Sequence, residues 1–272
     1  MNILSKGTDQ EYLLTEQYQD ANNLNARAQL HLQFNTNPYK WTRWLFDQFD
    51  LPDQARILEI GCGPGFLWQD NLDRIPTEWK ITLSDFSPGM TTQAQKNLTK
   101  ISSQLTFENF DAQTIPLGEA QFEAVIANHM IYHIPDKTLA YAEFNRVLKP
   151  GGHFYAATNG AAHLQEIRDL LTTVCPDDPS IAKHVMSDPF TLEIGINELV
   201  NWFSNVRLYL YDSHLRVTEI EPLVAYIHSA RSLTEGQTEH LSQLIKTEIA
   251  AKGFYHITKS TGLFVAQQRL ET

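Results

Sequence analysis

Residues Ile57 to Phe66 read ILEIGCGPGF: a short apolar run, one glutamate, then Gly61, Gly63 and Gly65 at every second position. Glycines spaced this way serve backbone geometry, allowing a sharp turn and letting a ligand lie against the chain. A dinucleotide-binding turn needs G-x-G-x-x-G, and the place of its third glycine is taken by Phe66. A triphosphate loop needs a lysine followed by serine or threonine after its last glycine, and no such run occurs. Glu59 sets negative charge beside the turn, which suits an ammonium or sulfonium ligand better than a pyrophosphate.

Outward from this turn, short apolar runs alternate with longer helical patterns, the sign of βαβ units and a mostly parallel sheet. Seven strands are expected, at 56–60, 80–85, 105–110, 122–128, 152–159, 206–212 and 262–268. Helices are expected over 64–74, 88–101 and 136–148. The last has Asp136 as its N-cap and Ala140, Phe144, Val147 and Leu148 on one face. The first fifty residues also read as helical and end in the aromatic group Tyr39, Trp41, Trp44 and Phe46. An insert over 213–261 carries helical patterns at 219–232 and 235–252. The expected division is an N-terminal helical cap (1–50), a core (51–212), a helical cap insert (213–261) and a last core strand (262–272). The two cap regions are read either as lying together over the carboxyl ends of the strands or as packing on the outer face of the sheet.

The chain has 272 residues, 42% hydrophobic and 19% charged, which is the composition of an ordinary globular protein with room for a sizeable core. No stretch reaches about 18 consecutive apolar residues, so no membrane span is expected. The N-terminus turns polar after four residues, unlike a secretory signal, and a cytoplasmic protein is expected. Cys62 and Cys175 form neither a disulfide framework nor a zinc spacing. A formal net charge of -11, with no Lys/Arg cluster longer than a pair, disfavours a nucleic-acid substrate.

ILEIGCGPG resembles the first motif of class I S-adenosylmethionine-dependent methyltransferases. ITLSDFSPGM (81–90), FDAQTIPL (110–117), FEAVIANHMIYHIPD (122–136) and LKPGGHFYAATNG (148–160) resemble the motifs that follow, in the expected order. Among small-molecule enzymes the likeness is to the ubiquinone/menaquinone C-methyltransferase-like group. The resemblance implies an α/β fold: a seven-stranded, mostly parallel Rossmann-like sheet with helices on both faces, an antiparallel last strand and a helical cap. It also implies S-adenosylmethionine as cofactor and S-adenosylhomocysteine as product.

On that reading the cofactor-binding residues are Glu59, Gly61, Cys62, Gly63 and Gly65 in the turn, with Asp85 at the end of the second strand to accept from both ribose hydroxyls. Phe86 and Met90 would contact the adenine, while Asp111 and the Ala112 amide would reach its amino group and ring. Asn128, His129 and Met130 would flank the sulfonium and the amino-acid tail. Arg27, with Tyr18 nearby, would meet the carboxylate; a solvated helix arginine is the alternative. Methyl transfer from a sulfonium asks the protein chiefly for positioning and a dry pocket, and for a base only if the acceptor must lose a proton. His133, with Tyr132 and His129, is the candidate for acid/base work or acceptor orientation, unless it braces the loop instead. The i,i+4 spacing of His129 and His133 lacks the glutamate and third ligand of a zinc helix, so no metal is expected. The fourth strand is followed by NHMIYH rather than an Asn/Asp-Pro-Pro-aromatic run, which favours a small-molecule acceptor over an adenine amino group or a glutamine side chain. The cap helices offer surfaces for a homodimer.

Overall fold

The computed structural model describes residues 8–12, 29–178 and 190–269. Seven strands form one sheet in the order β3-β2-β1-β4-β5-β9-β6, with β1 (Arg56–Ile60), β2 (Lys80–Ser84), β3 (Leu105–Glu108), β4 (Phe122–Asn128), β5 (Leu148–Asn159), β6 (Phe203–Leu210) and β9 (Thr261–Gln268). β1 to β5 pair in parallel, and β9 runs antiparallel between β5 and β6. The last strand is thus reversed, as expected, and slots inside the edge strand β6.

Period-two alternation divides each strand between two cores. Leu58, Ile60, Val125, Ala127, Phe154 and Ala156 face a cluster completed by α4 (Lys137–Val147) and α6 (Leu192–Leu199). Ile57, Ala124, Ile126, Tyr155 and Ala157 face the other cluster. There α1 (Trp41–Asp47), α2 (Phe66–Gln69) and α3 (Pro88–Asn97) bury Leu45, Phe46, Leu67, Trp68 and Ala94. Helices therefore cover both faces of the sheet. Asp136 caps α4, its side chain accepting from the amides of Thr138 at 2.9 Å and Leu139 at 3.3 Å.

Two helices are shorter than their sequence patterns. α2 stops at Gln69 because the buried Asn71 amide donates to the Leu67 carbonyl at 2.7 Å and the Thr42 carbonyl at 3.0 Å, ending the helix and tying it to α1. α3 gives way after Asn97 to a 3-10 turn over Thr99–Gln104. Two helices that the sequence pattern did not single out, α5 (Gln165–Val174) and α6, follow β5.

The late insert holds its two expected helices, α7 (Ile220–Ala230) and α8 (Glu235–Lys252), and also an unexpected antiparallel ribbon of β7 (His214–Val217) and β8 (Tyr255–Thr258). A third core gathers Leu30 and Phe34 from the helical residues 29–34 with Ile167 and Leu170 of α5, Leu215 and Val217 of the ribbon, and Leu223, Ile227, Leu241 and Ile245 of α7 and α8. The ribbon joins the sheet through the β8–β9 turn, where Gly160 and Leu164, just past β5, donate to the carbonyls of Ser260 and Thr258. These contacts hold the third core at the carboxyl end of β5.

Candidate active site

A cavity of about 280 Å³, at the small end of the range for ligand clefts, opens where β1, β2 and β4 end. In open α/β sheets this is the edge at which ligands bind.

The glycine turn makes its floor. Gly61, Gly63 and Gly65 all have positive φ, at 68°, 52° and 79°, which explains why glycine stands at each. They differ in what surrounds them. A Cβ on Gly61 would lie 2.7 Å from Cβ of Met130, and one on Gly65 would lie 2.8 Å from Cδ1 of Leu98. A Cβ on Gly63 would meet nothing within 4 Å, so Gly63 presents bare backbone to the cavity. Gly65 opens α2 and lies behind the lining.

Asp85, the residue after β2, is fixed by two backbone donors, Ser87 at 2.8 Å and Gly63 at 2.9 Å, one on each carboxylate oxygen. Each oxygen keeps a further lone pair. Burial pushes its pKa up to about 6, against the pull of those two amides. Phe86, Met90, Phe110 and Ala112 add an apolar wall beside it. Asp111 closes that end, its carboxylate accepting from Gln113 and, at 2.7 Å, from the side-chain amide of Gln10.

At the opposite end Asn128 lines the cavity. Its amide group donates to Glu59 at 3.3 Å, while its Oδ1 is buried without a hydrogen-bond partner among the described residues. Glu59 itself is only 2% exposed and does not reach the cavity. It shares a strand face with Ile57, directed toward α2, where Trp68 Nε1 donates to it at 2.6 Å. Desolvation raises its pKa to about 8; the Trp68 and Asn128 donors oppose this and the charge of Asp85 adds to it.

A methyltransferase domain model matches residues 57–152, the stretch that holds this turn, Asp85, Asp111 and Asn128. The match agrees with the resemblance of these motifs to the class I S-adenosylmethionine-dependent methyltransferases. It is 28% identical over 180 residues to malonyl-(acyl-carrier protein) O-methyltransferase 1 of Ilyobacter polytropus, covering 66% of this chain and 63% of that protein. The chain spans less than two thirds of the length of the first curated relatives it matches, 63% of the first and 29% and 43% of the next two. Its fold is similar to that of phosphoethanolamine N-methyltransferase 2 of Haemonchus contortus, solved with S-adenosyl-L-methionine (TM-score 0.60, 18% identity, 96% of this chain and 60% of that one). It is also similar to the (4+2)-cyclase SpnF (TM-score 0.58, 16% identity, 98% and 97%).

Met130 packs against Gly61, and His129 follows Asn128 with φ 53°, held by its amide donating to the Ala157 carbonyl at 2.9 Å. Burial, with the charge of Lys259 nearby, lowers the His129 pKa to about 4, so its ring is neutral near pH 7. His133 ends a 3-10 turn, Ile131–His133, rather than an α-helix, so its i,i+4 relation to His129 is not the helical one. Its ring packs against Tyr132 with centroids 4.6 Å apart. Both line the cavity, as do His129, Met130 and Cys62. Tyr18 and Arg27 lie outside the described residues.

Gln10 is a lining residue with no signal in the sequence, because its contact with Asp111 spans 101 positions. Ser87 and Phe110 also line the site and sit inside motif stretches, next to residues that the motifs single out.

Proposed function

We propose that the protein moves a methyl group from S-adenosylmethionine to an O, N or C atom of a small-molecule acceptor. The observation that carries this reading is the pairing of Asp85 with the open face of Gly63: a carboxylate fixed by two amides, lone pairs still available, beside bare backbone. A diol fits that carboxylate, as the ribose of the cofactor would.

When bound, the cofactor supplies a methyl group already activated on a sulfonium, and the chain supplies placement. Asp85 would hold the ribose hydroxyls. Asp111 and the Ala112 amide would meet the adenine edge between Phe86, Met90 and Phe110. The unpartnered Oδ1 of Asn128 fits an ammonium donor, and Glu59 orients that amide from behind. Tyr18 and Arg27 would meet the cofactor carboxylate. His129, Tyr132 and His133 border the remaining side, where an acceptor enters. His129, neutral by burial, can accept a hydrogen bond there, and His133 would orient the acceptor or take its proton.

Calorimetric titration tests the cofactor half of this proposal. S-adenosylmethionine and S-adenosylhomocysteine should bind and NAD should not; binding of NAD alone would overturn it. The likeness to a cyclase favours a second reading, in which this sheet hosts a reaction other than methyl transfer. Transfer of labelled methyl to a small acceptor would exclude that reading. The division into a core (51–212) with caps from residues 1–50 and 213–261, a cytoplasmic location and a homodimer through the cap helices belong to the same proposal. Among the described residues no helix is long and apolar enough to cross a membrane.

A further inference from the structure

Beside His129 lies a group of basic side chains that the cofactor half of the site does not use. Four separate segments bring them together: His31 from the helical residues 29–34, His129 after β4, His163 just past β5 and Lys259 in the β8–β9 turn. The rings of His31 and His163 stack with centroids 6.2 Å apart. Trp41 links the group to the cavity, 5.7 Å from the His129 ring and 5.2 Å from that of Tyr211, and the Lys259 ammonium stands 5.5 Å over the Tyr211 ring. All except Tyr211 are half-buried and keep some exposed surface.

The charge balance of this patch is one-sided. Lys259 is mostly desolvated, and among the described residues no carboxylate opposes that: burial alone lowers its pKa, to about 8. The chain as a whole has 32 acidic residues and a net charge of -11, so a half-buried lysine with no acid partner among the described residues is a departure from its own composition. The imidazoles do not relieve it. Desolvation and the neighbouring positive charge hold His31, His129 and His163 neutral.

Neutral imidazoles are also donors. The amide of Ser260 donates to Nδ1 of His163 at 3.3 Å, which puts the ring proton on Nε2. Nδ1 of His31 is buried with no hydrogen-bond partner among the described residues. One unopposed ammonium, N–H groups around it and aromatic walls fit a single negative charge on an organic molecule. A doubly charged phosphate would call for more cations.

We propose that Lys259 anchors a carboxylate of the methyl acceptor, in a patch walled by Trp41, Tyr211, His31 and His163 that adjoins the cofactor cavity at His129. This rests on the methyltransferase reading and names the acceptor class. Lys259 is a binding residue here: the atom that receives the methyl lies on the His129 side, and the carboxylate is a handle held by the β8–β9 turn.

The test uses protein saturated with S-adenosylhomocysteine, titrated with benzoate, phenylacetate, octanoate and phenyl phosphate, and with the methyl ester of each acid. At least one acid should bind about tenfold more tightly than its ester, as expected when a charged partner is lost. Lys259→Met should bring that acid down to the level of the ester, and Lys259→Arg should retain most of the preference. Both variants should hold S-adenosylhomocysteine within about twofold of the wild-type affinity. Acids and esters binding alike, no acid binding, phenyl phosphate binding alone, or an acid affinity unchanged in Lys259→Met would each overturn the proposal. Failure of the wild-type protein to bind S-adenosylhomocysteine at all would instead bring down the methyltransferase reading, and this assignment with it.

Discussion

Glu59→Gln should make the protein more stable at neutral pH, and the size of the gain follows from where Glu59 sits. The side chain is 2% exposed, with Trp68 Nε1 on one oxygen and the Asn128 amide on the other. Its pKa of about 8, raised first by desolvation, compares with an ordinary 4.5 in the unfolded chain. A raised folded-state value means that the stability contributed by neutral Glu59 is complete below 4.5 and is lost as the pH climbs toward 8. The loss is about 1.36 kcal/mol per pH unit, or about 3 kcal/mol by pH 7. Glutamine removes that loss but offers one oxygen where the carboxyl offered two, leaving one of the two donors poorly met at about 1–2 kcal/mol. The net gain at pH 7 is about 1–2 kcal/mol, a rise of about 2–8 °C in Tm for a chain of this size. At pH 4.5 the variant should be the less stable protein by about the same amount. Urea unfolding of both proteins at pH 5, 6, 7 and 8 measures the crossing directly. Parallel stability curves, or a variant weaker at pH 7, would show that Glu59 is an ordinary ionised carboxylate held by Trp68 and Asn128, and the reasoning would fail.

Asp85→Ala should weaken S-adenosylhomocysteine binding by about a hundredfold or more in calorimetry while the fold persists, because hydrogen bonds to a charged acceptor contribute about 1.5–3 kcal/mol each. Since burial sets Asp85 at about 6, the wild-type affinity should fall as the pH drops through 6, where the carboxylate takes up a proton and loses acceptor capacity; a flat profile between pH 7 and 5 would contradict this. Gly61→Ala and Gly63→Ala should separate stability from binding, since both have positive φ but only the first meets a neighbour, at 2.7 Å from Met130. Thermal melts should show Gly61→Ala the more destabilised, and calorimetry should show Gly63→Ala folded yet impaired in ligand binding. Binding of the cationic cofactor near pH 7 should also release a fraction of a proton, as Glu59 and Asp85 drop their pKa beside a positive charge. Titration in buffers of differing ionisation enthalpy measures that release, and an equal release from Glu59→Gln would clear Glu59 of any part in it.

The parallel core was legible because its signals are local. Gly61, Gly63 and Gly65 follow an apolar strand directly, and Asp85 and Asp111 each end a short run whose neighbours in space are also neighbours in motif. The limits of that legibility are physical too. Glu59 stands beside the turn in sequence, but strand alternation sends it to the face of Ile57 and Trp68, away from the cavity. α2 looks longer in the sequence than it is, because no helical periodicity shows that the Asn71 side chain will take the Leu67 carbonyl. The β7–β8 ribbon pairs His214 with Thr258 and Val217 with Tyr255, so its strands are four residues each and their partners lie some forty positions away. Such short runs leave no alternation to read. Gln10, His31, His163 and Lys259 carry no motif at all: Gln10 meets Asp111 across 101 positions, and the other three come together where the late insert folds onto the end of β5.

The site therefore has two halves of opposite sign, and the same force has acted on both. Behind the floor burial lifts Glu59 to about 8, and at the cavity wall it lifts Asp85 to about 6; on the cap side it lowers Lys259 to about 8 and keeps three histidines neutral. If the halves compensated one another, Lys259 would feel the pull of an acid. Among the described residues none exerts it: desolvation is what lowers Lys259, and the carboxylate that raises Glu59 further is Asp85, on the same side of the site. Each half is thus short of a counter-charge that the described chain does not provide. A sulfonium and an ammonium over the floor, and a carboxylate against the β8–β9 turn, would satisfy both at once. The cofactor brings the first two charges on one molecule, and the third must come on the acceptor, so the electrostatics of the fold itself divides the pocket between the two reactants at His129.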